Sequence, residues 1–375
     1  MNWFIIFLSL INISSGFIYN LKYNSRTELK MNMWKGLDKG LKDVARNWFI
    51  YRAEKAGIDW HNLVAKNELK MNFLKYIYQN IENKKIQYPA YYLKPFHGYD
   101  EGNLNWDAAL EGDAATLSVA VNYWKNNDPF VSEKWLRYNI TRNINDYHKK
   151  HKINKFKNVL DVGCSIGVST EYLHKSYIDL ENITGIDLSP YYLSIATYNA
   201  VDQNIPIKYL HRLAENTQFK DCTFDFIICN FLLHEVPNES SKLIIHELHR
   251  ILKPDGVLAI VDLDPANVQN KLIVSAFRKW AFETTEPHIN EYYNTDMGIL
   301  LESNNFINIE KKTNDPVNSI WFGQKKTIDV ENYEKKKLKM KKKKNDKDDE
   351  LNKLNLRSIP SFTIESKKRQ LVDFY

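Results

Sequence analysis

The chain has 375 residues, 43% hydrophobic and 13% aromatic, which is ample for one sizeable core and a smaller accessory region. Its formal charge of +6 sits at one end: residues 325–375 hold 16 Lys and Arg against 9 Asp and Glu, so the rest is near neutral and gives no argument for a nucleic-acid-binding fold. Cys164, Cys222 and Cys229 are an odd number without a Cys-x-x-Cys pair, so neither a disulfide framework nor a zinc site is indicated, and no metal is expected.

At the N-terminus the apolar run Trp3–Ile11, followed by Ser14, Ser15 and Gly16, has the length of a signal-peptide core and is too short to span a bilayer. Residues 1–16 are expected to be a signal peptide, although no Lys or Arg precedes the run, and 17–42 a basic, transit-like leader. Together they predict an organelle of the plastid (apicoplast) type reached through the secretory route, with membrane contact through the leader only. A secretory or membrane-anchored protein would open in the same way. Thiols without a disulfide pattern favour an organelle interior over the extracellular space. Residues 43–150 read as a helical cap or lid. "VARNWFIYRAEKAGI" and "ATLSVAVNYWKNN" place apolar residues three and four apart. Between them runs the aromatic, Gly- and Pro-punctuated "YPAYYLKPFHGYDEGNLNWDAALEGD".

Residues 151–325 alternate short apolar runs with helical patterns. Strands are expected at "NVLDV", "ITGID", "IKYLHR", "FDFIICN" and "GVLAIVDLD". Helices are expected at "STEYLHKSY", at "SPYYLSIATYNAVDQ" with Ser189 as N-cap and Pro190 at the first helical position, and at "ESSKLIIHELHRIL", stopped by Lys253-Pro254-Asp255-Gly256. Two further helices, 268–282 and 289–303, precede a closing antiparallel pair, "FINIEKK" and "SIWFGQKK". Strands separated by helices predict an α/β fold with a doubly wound, mostly parallel seven-stranded sheet. Residues 326–375, with "EKKKLKMKKKKNDKDDELNK", read as a low-complexity, solvated Lys-rich tail.

In such a sheet a ligand lies beyond the carboxyl ends of the strands, beside the first one. There the string is Asp161-Val-Gly163-Cys-Ser-Ile-Gly167, not the G-x-G-x-x-G of a dinucleotide site. Ser165 stands where a glycine is wanted, and the acid would repel a pyrophosphate while suiting a ligand with an ammonium group. Asp187, ending "ITGID", can accept both hydroxyls of an adenosine ribose, or can cap the next helix.

The ordered strings "VLDVGCSIGVST", "ITGIDLSPYYLSIA", "FDFIICNFLLHEVP" and "ELHRILKPDGVLAIVDLDP" resemble the class I S-adenosylmethionine-dependent methyltransferases over about Phe156–Lys325. The nearest group includes the ubiquinone and menaquinone biosynthesis methyltransferases. "YPAYYLKPFHGYDEGNLNWDAALE", "HEVP" and "TTEPHINEYY" carry a closer likeness, to plant and cyanobacterial members of undefined substrate, back to about Asp43. The resemblance implies a Rossmann-like methyltransferase fold and S-adenosyl-L-methionine as cofactor. Asp161, Gly163, Cys164 and Gly167 match the loop around its methionine part, Asp187 the ribose acid and Leu188 the adenine neighbour. Leu213 replaces the acid usual after the third strand, so adenine would be read by backbone groups near Ala214 or by Glu215. Asn230 matches the position facing the methyl acceptor.

Methyl transfer is a displacement at an activated carbon, so the protein mainly positions the reactants and excludes water; a base is needed only if the acceptor loses a proton. His234 and Glu235, just after the fourth strand, are the candidates, or else they structure the loop and cap the next helix. Tyr92, His97, Tyr99, Asp100 and Trp106 of the aromatic loop are expected to close over cofactor and acceptor, with Glu286 opposite; packing of the cap and helix capping would use the same residues. The expected function is methyl transfer to a small, lipophilic or aromatic acceptor. Transfer to RNA or protein, supported by the basic tail alone, and a catalytically silent cofactor-binding protein are the alternatives. A nicotinamide-dependent reductase is disfavoured by Asp161 and the absent glycine.

Overall fold

The computed structural model describes Val44 and residues 46–124, 128–271, 279, 282–283 and 285–326, and all of these fall within one compact unit. The expected signal peptide, the leader and the Lys-rich tail lie outside the described residues.

Seven strands form one sheet in the order β3-β2-β1-β4-β5-β7-β6: β1 (Asn158–Val162), β2 (Asn182–Asp187), β3 (Lys208–His211), β4 (Phe224–Asn230), β5 (Leu252–Leu263), β6 (Phe306–Thr313) and β7 (Asn318–Lys325). The first five are parallel; β7 inserts antiparallel between β5 and β6. This is the doubly wound, mostly parallel sheet that the strand–helix alternation predicts. The order reverses beside β1, so the carboxyl ends of β1 and β4 open a crevice.

Ahead of the sheet come a helical stretch, 46–55, then α1 (Trp60–Glu68), α2 (Met71–Ile81), α3 (Trp106–Leu110), α4 (Gly112–Tyr123) and α5 (Pro129–His151). Within and after the sheet come α6 (Val168–Ser176), α7 (Pro190–Asp202), α8 (Asn238–Ile251), α9 (Pro265–Lys271), α10 (Ile289–Tyr293) and α11 (Met297–Ser303). Alternation along the strands sends side chains to two layers. Leu160, Val162, Ile227, Cys229, Leu258 and Ile260 pack with Ile244, Ile245 and Leu248 of α8. Val159, Phe226, Ile228, Ala259 and Phe322 pack with Ile140, Ile144 and Tyr147 of α5. Each fully buried Val, Leu, Ile or Phe among them contributes roughly 1.5–3 kcal/mol. α5 lies in the span expected to be cap, yet it covers one face of the sheet: Tyr147 stacks on Phe322 at 4.4 Å and its hydroxyl donates to Asn308 O at 2.8 Å.

Two expectations are corrected. The expected helix 289–303 is two short ones, because the Asp296 carboxylate accepts from Ile299 N at 3.0 Å and starts a new helix after the turn at Asn294. The segment Lys253–Gly256 stops α8 as expected, but it already belongs to β5. A bulge opposite Phe224/Phe226 accommodates Pro254, and Lys253 Nζ pairs with Asp225 at 2.7 Å. Most of the expected helix 268–282 lies outside the described residues.

Candidate active site

The loop after β1 owes its shape to three residues in the left-handed region: Gly163 (φ 71), Ser165 (φ 50) and Gly167 (φ 86). Ser165 therefore takes the conformation expected of a glycine. The turn is pinned from below, since Gly163 N and Cys164 N both donate to Ile186 O of β2, at 2.9 and 3.0 Å. It is tied sideways to Asp187, whose Oδ2 accepts from Ser165 N and whose Oδ1 accepts from Ser189 N, each at 2.8 Å. Burial raises the Asp187 carboxyl to about 6, against the N–H groups of Ser189, Ser165 and Leu188 that lower it. Ser189 caps α7 through its Oγ, which accepts from Tyr192 N at 3.3 Å and donates to Asn103 O at 2.7 Å, joining the aromatic loop to the cap.

Above these strand ends lies a cavity of about 510 Å³ with a mostly apolar wall. Its floor is Gly163, Cys164, Ser165, Asp187, Leu188, Ala214, Glu215, Asn230, His234 and Glu235; its roof includes Tyr91, Tyr92, His97, Tyr99 and Glu286. A third side comes from Arg46, Trp48, Phe49 and Ile50 with Trp60, Ala115 and Val119. The roof is fastened at several points. Tyr91 Oη donates to Glu215 Oε1 at 2.6 Å, and Tyr192 Oη donates to Asn103 Oδ1 at 3.0 Å. Arg46 and Tyr99 both donate to Glu111, with the guanidinium 5.3 Å above the Tyr99 ring.

Four residues expected at the site stand off the cavity wall. Asp161 is fully buried beneath the loop; its Oδ2 accepts from Thr170 Oγ1 at 2.6 Å, its Oδ1 has no hydrogen-bond partner, and burial raises its carboxyl to about 7. Gly167 serves packing, since a Cβ there would stand 2.3 Å from Tyr209 Oη. Trp106 packs between Tyr78 and Tyr191, and Asp100 is exposed. The other expected residues line the cavity.

At one end of the cavity two histidines and three carboxylates meet. The short 3-10 turn Leu233–Glu235 presents His234 and Glu235 directly after β4. Asp262, near the end of β5, aligns that turn: its Oδ2 accepts from Leu233 N at 3.0 Å, and its Oδ1 lies 2.7 Å from His234 Nδ1. His234 Nε2 is 4.0 Å from Glu286 Oε2, an oxygen without a hydrogen-bond partner, while His97 Nε2 is 3.1 Å from Glu286 Oε1 and 3.6 Å from Glu235 Oε1. Burial acts to lower the His234 imidazole, but Asp262 outweighs it and raises it to about 10. His97 is raised to about 9 by Glu286 and Glu235 against the same burial. Burial raises Glu235 to about 7, against the pull of His97 and His234. Both histidines are thus cations at neutral pH, and Glu235 is poised near neutrality.

Asp262, Arg46, Glu111 and Arg137 were not foreseen. Asp262 reads as part of a buried strand, and Arg46 as one residue of a helical stretch of the cap. Nothing local in the sequence ties either to the crevice.

The residues present fit the cofactor that the resemblance implies. Asn230 Oδ1 and Arg137 Nη1 are buried on the cavity wall without hydrogen-bond partners, one able to accept from an ammonium and the other to donate to a carboxylate. Asp187 would hold a ribose, and the atoms nearest to a Cβ added at Gly163 belong to Leu232, 3.3 Å away. Among the described residues no group of three or more His, Cys, Asp and Glu could hold a metal ion.

Residues 160–260 match the family described as a methyltransferase domain. An uncharacterized methyltransferase of Synechocystis is 34% identical over 154 residues, covering 41% of this chain and 68% of its own length. A ubiquinone biosynthesis O-methyltransferase of Hydrogenovibrio crunogenus is 35% identical over 101 residues, covering 27% of this chain and 40% of its own. A demethylmenaquinone methyltransferase of Listeria monocytogenes is 26% identical over 134 residues, covering 35% and 56%. The chain thus spans less than two thirds of these last two relatives. Among solved structures, a methyltransferase from Methanosarcina mazei aligns at 23% identity and a TM-score of 0.38, covering 49% of this chain and 97% of that one.

Proposed function

Because this chain belongs to the S-adenosylmethionine-dependent methyltransferases, we propose that it methylates a small, lipophilic or aromatic molecule that loses a proton in the reaction, with Glu235 as the base. The observation that carries this reading is the cluster of ionisable side chains at the end of an otherwise mostly apolar cavity. An apolar wall suits a small organic acceptor, and a carboxylate near neutrality suits proton removal. Relatives named as a ubiquinone biosynthesis O-methyltransferase and a demethylmenaquinone methyltransferase support a small molecule over RNA or protein.

The cofactor supplies a methyl carbon already activated by a positive sulfur. Glu235 would take the proton that the acceptor gives up on receiving that methyl group. His234 is the weaker candidate for base, because Asp262 keeps its ring protonated. Its cation sits against Asp262 and Glu286 and holds the turn that aims Glu235. Asp187, Asn230 and Arg137 would hold and orient the cofactor, while the roof residues Tyr91, Tyr92 and His97 exclude water.

Calorimetry of the full chain with S-adenosylhomocysteine, the spent cofactor, tests the first half of the proposal; no binding by folded protein would end it. Profiling of cell metabolites with labelled methyl donor tests the second half, using Gly163→Arg as the blank, since a long side chain there would fill the floor of the cavity. Label appearing equally with both proteins would refute transfer at this site. Delivery to an organelle by the secretory route belongs to the same proposal, and is checked by where residues 1–43 carry a fluorescent reporter.

A further inference from the structure

His97 enters the charged cluster from the aromatic loop, far in sequence from the other members. The loop is pinched around it: Phe96 N donates to Tyr99 O at 3.0 Å and Tyr99 N to Phe96 O at 2.9 Å, with His97 (φ 52) and Gly98 (φ 86) both left-handed at the tip. A non-glycine residue held in that region is costly, and it persists where its surroundings fix it. Here the fixing contacts run to one partner segment. His97 N donates to Thr285 O at 3.4 Å, and His97 Nε2 meets Glu286 at 3.1 Å. The same nitrogen lies 3.6 Å from Glu235. The tip of the loop thus carries a cation that meets two of the cavity's carboxylates, Glu235 and Glu286.

The other groups facing His97 are Glu286, Glu235 and His234, and Asp187 at the end of β2 adds its negative charge on Glu235 from the floor of the cavity. His234 is already bonded to Asp262 at 2.7 Å. If the loop lifted, Glu235 and Glu286 would face each other with one committed cation between them. Two neighbouring carboxylates in a buried site relieve their repulsion by keeping a proton.

We propose that His97 is a positioning residue that couples closure of the aromatic loop to the readiness of the base: with the loop down, its imidazolium lies against Glu235 and Glu286 and favours their ionised forms, and with the loop raised, the pair holds a proton more tightly and Glu235 is less able to accept one from the acceptor. This rests on the reading of the site as a methyl-transfer centre. It adds that proton removal is favoured in the closed state, in which the reactants are shielded from water.

The test reads the Glu235 carboxyl directly, by carbon NMR of the full chain labelled at glutamate side chains and titrated with S-adenosylhomocysteine bound. In the wild type Glu235 changes state near pH 7; in His97→Gln the midpoint should rise by one pH unit or more, and in His97→Lys, which keeps a cation, it should return toward the wild-type value. The acid limb of kcat/KM should move with it. A purely structural role for His97 would lower the rate at every pH and leave both midpoints in place, which overturns the proposal, as does an unchanged midpoint in His97→Gln protein that still binds S-adenosylhomocysteine. If the wild type transfers no methyl group, the functional reading fails, and the proposal fails with it only if the carboxyl midpoint also stays fixed.

Discussion

The division of labour between His234 and Glu235 is decided by a residue 27 positions further on. Asp262 gives His234 a partner at 2.7 Å, so the more familiar base keeps its proton while the neighbouring carboxylate, raised to about 7, is the group able to exchange one. Glu235→Gln should lower kcat by roughly 10²- to 10⁴-fold while leaving the affinity for S-adenosylhomocysteine within a few-fold, seen by pairing a rate assay with calorimetry. The His234–Asp262 pair also makes stability depend on pH. Its folded value of about 10 lies above the ordinary 6.5, so its contribution is complete below pH 6.5 and is lost as pH rises through 10. His234→Gln should cost roughly 3–5 kcal/mol at pH 6 by removing one partner of a buried pair, and much less above pH 10. Denaturant midpoints at the two pH values decide this; an equal loss at both would show that the ion pair is not the source. At this scale Glu235 and Asp187 were legible, because each follows a strand that the pattern marks. Asp262 was not, because a carboxylate inside "VDLD" looks like a strand end until the turn it supports is seen beside it.

Elements place these residues through a few short connections. Ser189 is both the cap of α7 and the anchor of the aromatic loop, so Ser189→Ala removes an N-terminal cap and leaves the Asn103 carbonyl without its hydroxyl donor. The expected loss is about 1 kcal/mol for the cap and about another 1 kcal/mol for the hydrogen bond, measured by chemical denaturation. Amide exchange in residues 99–105 should quicken in the same variant, and unchanged exchange there would mean that the roof does not depend on this link. The cap could be read from "SPYY", since Ser before Pro at a helix start has a local cause. Its second bond could not, for Asn103 lies 86 residues away. Gly167 shows the same limit from the other side. Its spacing from Gly163 suggests a ligand contact, whereas Tyr209 of β3 packs against it and leaves no space for a side chain. Likewise the reading of 43–150 as helical takes in α5 but cannot say that its buried stripe faces the sheet.

For the molecule as a whole, the cavity is a meeting place of three parts of the chain: strand ends, aromatic loop and the stretch 46–55. A ligand that bridges them stabilises the fold by mass action, about 2.7 kcal/mol when present at a hundred times its Kd. For a unit of this size each kcal/mol raises Tm by about 2–4 °C, so saturating S-adenosylhomocysteine should raise it by roughly 5–10 °C in a thermal scan. A shift near zero would place the ligand outside the closed cavity. The mostly parallel sheet was legible because alternation and glycine turns are local signals. The third wall was not, since Arg46 reads as one residue of the helical string "VARNWFIYRAEKAGI" while its guanidinium bonds Glu111, 65 residues on, inside the cavity wall. That contact has a consequence for truncation. A variant that begins after Arg46 would lose the partner of Glu111, and one that begins after Trp48 would lose a further piece of the cavity wall. Arg46 and Trp48 are therefore part of the chamber itself, and shortening the chain into them should weaken the hold on whatever the chamber encloses.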